Sequence, residues 1–235
     1  MRLQKLSNTA RRIIAQAIEC HTKITQDHLT PELKLRLLTP DCPLYNCHPD
    51  DLPDDFRGSD PFWSIYWPGG QALARFVLDE RRMFDGAKIL DVGSGCGAAA
   101  IAAKLVGAVD ALANDIDPVA CIAVEMNAHL NGVEIRTSAD NLIGHKLPET
   151  FDLVLLGDLL YDEILADEIK AWLDEHLIRE KRAPQVYIAD PGRHGLTPKL
   201  RSRLSHVRTY RLTESGRREN PGYDEVSVFE FLSPS

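Results

Sequence analysis

Three glycines at alternate positions, Gly93, Gly95 and Gly97, separate the apolar run Ile89-Leu90-Asp91-Val92 from an alanine-rich stretch that begins at Ala98. An apolar run, a glycine loop and a helix-forming stretch in that order make a strand–loop–helix junction. Glycine has no Cβ and adopts positive φ readily, so such a loop turns sharply and lets its backbone lie against a ligand. The helix behind it points free N–H groups at whatever is bound. The spacing is one residue shorter than the G-x-G-x-x-G of nicotinamide and flavin enzymes, whose fingerprint also lacks an acid at the position of Asp91. The junction therefore points to S-adenosylmethionine rather than NAD as cofactor, and to methyl transfer rather than hydride transfer.

The pattern around the junction predicts an α/β fold. Strands are expected over 88–92, 109–114, 133–138, 152–157 and 184–190, with helices over 97–106, 118–130, 162–178 and 196–205. Such alternation implies right-handed crossovers and a mostly parallel, Rossmann-like sheet. Two apolar-alternating runs, Val207–Thr213 and Glu225–Leu232, have no helical pattern between them and read as a closing antiparallel pair. Upstream, a helix is expected over 7–28, capped by Ser7 or Asn8, with Ile13, Ile14, Ala17 and Ile18 on one stripe. Residues 40–62 are rich in proline and aspartate and read as an irregular connection, and a short helix follows Pro68-Gly69-Gly70. The division expected is an N-terminal helix and irregular extension over 1–62 and an S-adenosylmethionine-dependent methyltransferase domain over 63–235.

Parallel sheets of this kind bind ligands beyond the carboxyl ends of their strands. The chemistry-bearing residues fall there. After the first strand of the sheet come Asp91, Gly93 and Gly95. After the second comes Asn114-Asp115-Ile116-Asp117-Pro118, where Asp115 suits the hydroxyls of a ribose and Asp117 suits the cap of the helix opening at Pro118. Asp140 and Asn141 follow the third strand and are placed to meet an adenine amino group or to serve as ordinary loop polars. Gly157-Asp158-Leu159-Leu160-Tyr161 follows the fourth, and Asp190-Pro191-Gly192-Arg193 the fifth.

Enzymes that methylate base amines carry an Asn/Asp-Pro-Pro-aromatic run after the fourth strand. Its absence favours a tetrahedral amine such as lysine as acceptor. Asp158 would accept a hydrogen bond from the incoming nitrogen, and Tyr161 would shape its channel or simply pack. Lysine is protonated in water, with a pKa of about 10.4. Desolvation in an aromatic channel would release the proton, leaving positioning as the main source of acceleration. The block Asp60-Pro-Phe-Trp-Ser-Ile-Tyr-Trp-Pro-Gly-Gly-Gln71 is dense in aromatics, and Trp67 is placed to close over the cofactor or to pack in the core. Cys96 reads as a small filler.

A net charge of −8 argues against a nucleic-acid partner, which needs a basic face. No apolar run is long enough for a transmembrane helix, so no membrane partner is expected. The five cysteines are scattered, and Cys42 and Cys47 have no second pair to complete a zinc site, so no metal is expected. The acid-free first 18 residues, with Arg2, Lys5, Arg11 and Arg12, superficially look like a mitochondrial presequence, but an amphipathic helix is the preferred reading.

Taken with Leu-Asp-Val-Gly-Ser-Gly-Cys-Gly-Ala, these residues resemble the seven-strand (class I) methyltransferases, and Asp158-Leu-Leu-Tyr161 resembles the Asp-x-x-Tyr group of protein lysine methyltransferases. The 60–71 block, Ala-Asn-Asp-Ile-Asp-Pro, Leu-Gly-Asp-Leu-Leu-Tyr-Asp-Glu, Asp-Pro-Gly-Arg and Leu29-Thr-Pro-Glu-Leu-Lys-Leu-Arg-Leu-Leu-Thr-Pro40 are similar to the lysine methyltransferases of the electron transfer flavoprotein β-subunit. The resemblance implies transfer from S-adenosylmethionine to lysines beside that subunit's recognition loop, in a bacterial cytoplasm, or in the mitochondrial matrix of a eukaryote. A monomer is expected. A lysine of another protein, such as a ribosomal protein, is the alternative acceptor. A non-catalytic adenosylmethionine-binding module is the distant one.

Overall fold

The computed structural model describes residues 6–46, 61–147, 149–177 and 183–232. Its centre is a seven-stranded sheet: β3 (Lys88–Val92), β4 (Asp110–Asn114), β5 (Arg136–Ser138), β6 (Leu153–Gly157), β7 (Gln185–Asp190), β8 (Leu204–Arg211) and β9 (Glu225–Phe231). The spatial order is β5-β4-β3-β6-β7-β9-β8. Strands β3 to β7 pair in parallel, and β9 runs antiparallel between β7 and β8.

Successive strand residues point to opposite faces, and both faces are covered. Ile89, Ala113, Leu153, Leu155 and Ala189 pack on one side with α2 (Pro68–Asp79) and α4 (Ala98–Leu105). Leu90, Leu112, Val154, Leu156 and Ile188 pack on the other with α6 (Glu163–Trp172), where Ile169 and Trp172 are buried. Burying both faces is what makes these strands read as nearly continuous apolar runs. The chain order reverses between β3 and β6, the switch point at which such sheets open a crevice.

The central helices and strands fall close to where the periodicity puts them, α5 (Pro118–Leu130) to the residue. Strand β5, however, covers only the second half of the strand expected over 133–138. The helix expected over 162–178 is α-helical only to Trp172 and then widens into a π-type turn, Leu173–Leu177. Four further expectations are corrected. Helix α1 spans Asn8–His21 rather than 7–28, because Thr22 turns extended and the chain enters a small antiparallel pair, β1 (Lys23–Thr25) with β2 (Leu35–Leu37). Ser7 is its cap, its hydroxyl accepting from the Ala10 N–H at 3.1 Å. Ile14, Ala17 and Ile18 of its stripe bury in one cluster with Val119, Ala120, Ile122 and Ala123 of α5, whereas Ile13 faces out.

The helix expected over 196–205 is only the turn α7 (Pro198–Arg201), capped by Thr197. Strand β8 starts at Leu204 rather than Val207, since Leu204 already pairs with Phe231. A short helix, α8 (Glu214–Glu219), stands between the closing strands where none was expected, started by the Thr213 hydroxyl accepting from the Gly216 N–H.

Most of the irregular connection expected over 40–62, residues 47–60, lies outside the described residues. Its described ends are single turns, Pro43–Asn46 and Phe62–Ser64. The remaining helix, α3 (Arg81–Phe84), leads into β3.

Candidate active site

The glycine loop turns at the carboxyl end of β3 with all three glycines at positive φ: 63° at Gly93, 52° at Gly95 and 80° at Gly97. Gly93 is needed for space as well, because a Cβ there would press on the Leu159 side chain. Beneath the loop, the buried Asp91 carboxylate accepts from the Ala100 N–H at 3.2 Å and so ties the loop to the first turn of α4. Asp115 supports the loop from the side. One of its oxygens accepts from Gly95 N–H and the other from Asp117 N–H, each at 3.0 Å. Asp117 itself caps α5 through the Val119 N–H at 2.8 Å.

A small cavity over the loop is lined by Tyr66, Trp67, Gly70, Asp91, the stretch 93–96 and Gly157. The Ser94 hydroxyl is buried there without a hydrogen-bond partner among the described residues. A glycine cradle, an unmatched hydroxyl and an acid at the side fit a ligand with hydroxyls and a polar head, as S-adenosylmethionine has. Of the residues singled out for it, Trp67, Asp91, Gly93 and Gly95 share this wall, and Asp115 joins it through Gly95. Asp140 and Asn141 lie beyond β5, exposed. Asp140 is bonded within its own turn to Ser138, and Asn141 accepts from the Ile143 N–H.

Asp158 closes β6 with φ at 58°, the only positive value for a non-glycine among the described residues. Aspartate tolerates this left-handed conformation better than most residues. The turn buries its carboxylate between two donors. One oxygen accepts from Gly69 N–H in the first turn of α2. The other receives both Nε and Nη2 of Arg193, each at 2.7 Å. Burial pushes the Asp158 carboxyl up to about 6, against the pull of Arg193 and the Gly69 N–H, while the Asp190 charge pushes with it. Tyr161 stands further out, 54% exposed.

Arg193 is the residue that the sequence left unassigned. Its guanidinium carbon lies 5.4 Å from the centre of the Trp67 ring and 5.2 Å from that of Tyr223. The turn that presents it is fixed by Asp190, whose carboxylate accepts from both Gly192 N–H and Arg193 N–H at 2.7 Å. The string Asp-Pro-Gly-Arg marked the turn, but no local spacing joins Arg193 to an acid 35 residues away. A second unforeseen network lies below. Tyr66 OH and Thr30 Oγ1 are 3.0 Å apart, Thr30 Oγ1 is 3.2 Å from His28 Nδ1, and Gln71 bridges Leu29 N–H and the Tyr66 carbonyl. These bonds make Tyr66 a core residue that clamps the N-terminal segment under α2. Burial pushes the Cys96 thiol up to about 12, in keeping with a filler rather than a nucleophile.

Burial, joined by the charge of Asp115, also pushes the Asp91 carboxyl up to about 7, with the Ala100 N–H opposing. The folded chain then keeps this proton to near neutrality, whereas an unfolded one releases it near pH 4. The folded state binds more protons in that window, so this group's contribution to stability falls as the pH rises from about 4 to about 7. Melting the ligand-free protein at pH 5.5 and 8.0 checks this. The difference in Tm should shrink by a few degrees in Asp91→Asn, and an unaltered difference would refute it.

Comparison with known proteins extends the picture. The profile of the ribosomal protein L11 methyltransferase family matches residues 72–182. Over 214 residues the chain is 44% identical to the electron transfer flavoprotein β-subunit lysine methyltransferase of Xenopus laevis, covering 90% of this chain and 84% of that protein. The human protein of the same name is 43% identical over 216 residues, covering 91% and 80%. Among solved structures, a ribosomal protein L11 methylase from Lactobacillus delbrueckii superposes with a TM-score of 0.50 at 29% identity, covering 70% of this chain and 79% of that one.

Proposed function

The chain belongs to the family of electron transfer flavoprotein β-subunit lysine methyltransferases, and from that premise we propose that it methylates lysines beside the recognition loop of that flavoprotein subunit. The observation that carries the chemistry is the buried Asp158 carboxylate at the β3/β6 switch point, beside a cavity walled by the glycine loop. S-adenosylmethionine, held by the loop, Asp91, Asp115 and Trp67, supplies a methyl group on a positively charged sulfur. The protein supplies position and a dry environment. Desolvation between Trp67 and the loop lowers the acceptor lysine's pKa, and Asp158 orients the nitrogen. The proton leaves to solvent. No general base is required, so orientation carries most of the acceleration.

Similarity to the L11 methyltransferases favours a second acceptor, a ribosomal protein. Its profile match stops at residue 182, however, and leaves out the Asp190–Arg193 turn, whose Arg193 binds Asp158, and Tyr223, whose ring faces Arg193. Similarity to the flavoprotein enzymes spans nine-tenths of the chain. Incubation of the purified flavoprotein with the chain and S-adenosylmethionine should add multiples of about 14 Da to its β-subunit lysines. No transfer to that subunit, alongside labelling of another protein in a lysate, would overturn the substrate. We place the reaction in the cytoplasm, or in the mitochondrial matrix of a eukaryotic host, and fractionation of cells checks that assignment.

A further inference from the structure

The surroundings of Arg193 are those a substrate ammonium needs. Its guanidinium lies over the rings of both Trp67 and Tyr223 and meets the Asp158 carboxylate at 2.7 Å. Two aromatic faces and one acid make a cation seat. Trp67 and Gly157 also wall the cavity over the glycine loop, so the seat opens beside the place where a methyl donor is held. The Asp158 oxygen facing the seat already receives two N–H groups from Arg193, and the other oxygen faces Gly69. An acceptor nitrogen cannot take the place of Arg193 while Arg193 is there.

We propose that Trp67, Tyr223 and Asp158 form the seat of the acceptor lysine and that Arg193 is its resident occupant, displaced when the substrate enters. The inference rests on the lysine methyltransferase reading and deepens it. Exchange of a guanidinium for an ammonium on the same acid and rings replaces like with like. Arg193 can also leave without unfolding the turn. Its backbone is anchored by Asp190, while its side chain is 14% exposed and rotates about four bonds. Displacement raises the apparent KM by the inverse of the fraction of molecules in which the seat is empty.

The test is Arg193→Lys, which puts an ammonium on the chain's own tether in the seat. With S-adenosylmethionine present, its nitrogen should attack the methyl carbon. The carbon–sulfur bond breaks with its electrons going to sulfur, S-adenosylhomocysteine leaves, and the proton passes to water. Peptide mass spectrometry should show about 14 Da, or multiples of it, added at position 193, at a rate independent of protein concentration. Combination with Asp158→Asn should suppress the addition. A variant that binds S-adenosylmethionine in calorimetry as the parent does, yet stays unmodified at 193, overturns the seat.

Arg193→Met gives an independent reading, since it keeps the apolar stem and removes the competing cation. KM for the lysine-bearing acceptor should fall several-fold, up to about tenfold. A raised KM or a collapsed kcat would mean that Arg193 is a permanent wall, and the proposal fails. Should the parent protein modify lysines while both variants behave in these contrary ways, only the seat is lost. Should the parent modify no lysine at all, the functional reading falls and takes the seat with it.

Discussion

Asp158→Asn is expected to lower kcat by about 10²–10³-fold, the usual cost of losing one preorganised electrostatic contact at a reacting centre, while the chain still folds and binds S-adenosylmethionine. Asparagine tolerates the left-handed conformation that residue 158 adopts at φ 58°, so the strand end keeps its course. Its amide oxygen can still accept from Gly69 N–H or from Arg193. The negative charge is what disappears. Arg193 then loses its counter-ion in a site where the two side chains are only 14% and 7% exposed, and the acceptor nitrogen loses the group that orients it. Breaking a buried pair on one side costs roughly 3–5 kcal/mol when nothing replaces the charge. The asparagine oxygen should keep the loss below that, at a few degrees in Tm.

The pH profile separates this role from a purely structural one. Burial holds the Asp158 carboxyl near 6, so activity that depends on the ionised form should fall as the pH drops through that value. The inflection at that value should vanish in Asp158→Asn, leaving the pH dependence set by the acceptor lysine's own proton. Unchanged kcat in this variant would remove Asp158 from the reaction. A lost inflection near 6 with unimpaired S-adenosylmethionine binding would place its effect on the acceptor.

Much of the scaffold was legible in the sequence, and for physical reasons. Strands buried on both faces must be apolar throughout, and helices such as α5 begin on a capped proline, so β3, β4, β6, β7 and α5 announce themselves. The strand ends were legible too, since a crevice at a switch point demands polar residues there. Short or exposed elements were not. Strands β1 and β2 have three residues each, too few to display a period. Strand β8 is exposed along most of its length, so its apolar pattern is faint and its start was misplaced. Within the site, each strand end named its own acid, but the partners came from elsewhere. Gly69, Arg193 and Tyr223 reach Asp158 and its surroundings through the sheet, across separations at which local spacing carries no information.

Gly69→Ala is expected to be far more damaging than Gly70→Ala. Helix α2 enters the fold with Pro68-Gly69-Gly70 against the ends of β6 and β7, and the two glycines look interchangeable in the sequence. They are not. A Cβ on Gly69 would come within 2.6 Å of the Asp158 amide nitrogen and 2.7 Å of its carboxylate, and would overlap the Ala189 carbonyl. The neighbours are backbone atoms of two paired strands, joined by the Asp158 N–H donating to the Ala189 carbonyl at 3.1 Å, so they cannot move aside separately. A Cβ on Gly70 would instead meet the Tyr66 ring at 3.6 Å, an ordinary contact. Overpacking of a rigid site costs about 1–3 kcal/mol and sometimes more. In a chain of this size each kcal/mol lowers Tm by roughly 2–4 °C. Gly69→Ala should therefore melt several degrees below the parent. It should also lose methyl transfer at temperatures where it remains folded, because pushing α2 outward takes the Gly69 N–H from Asp158 and Trp67 from the seat. Gly70→Ala should keep most of both. Equal behaviour of the two variants in thermal melts and transfer assays would show that the close approach of α2 to the β6–β7 strand ends is not what holds Asp158 in place.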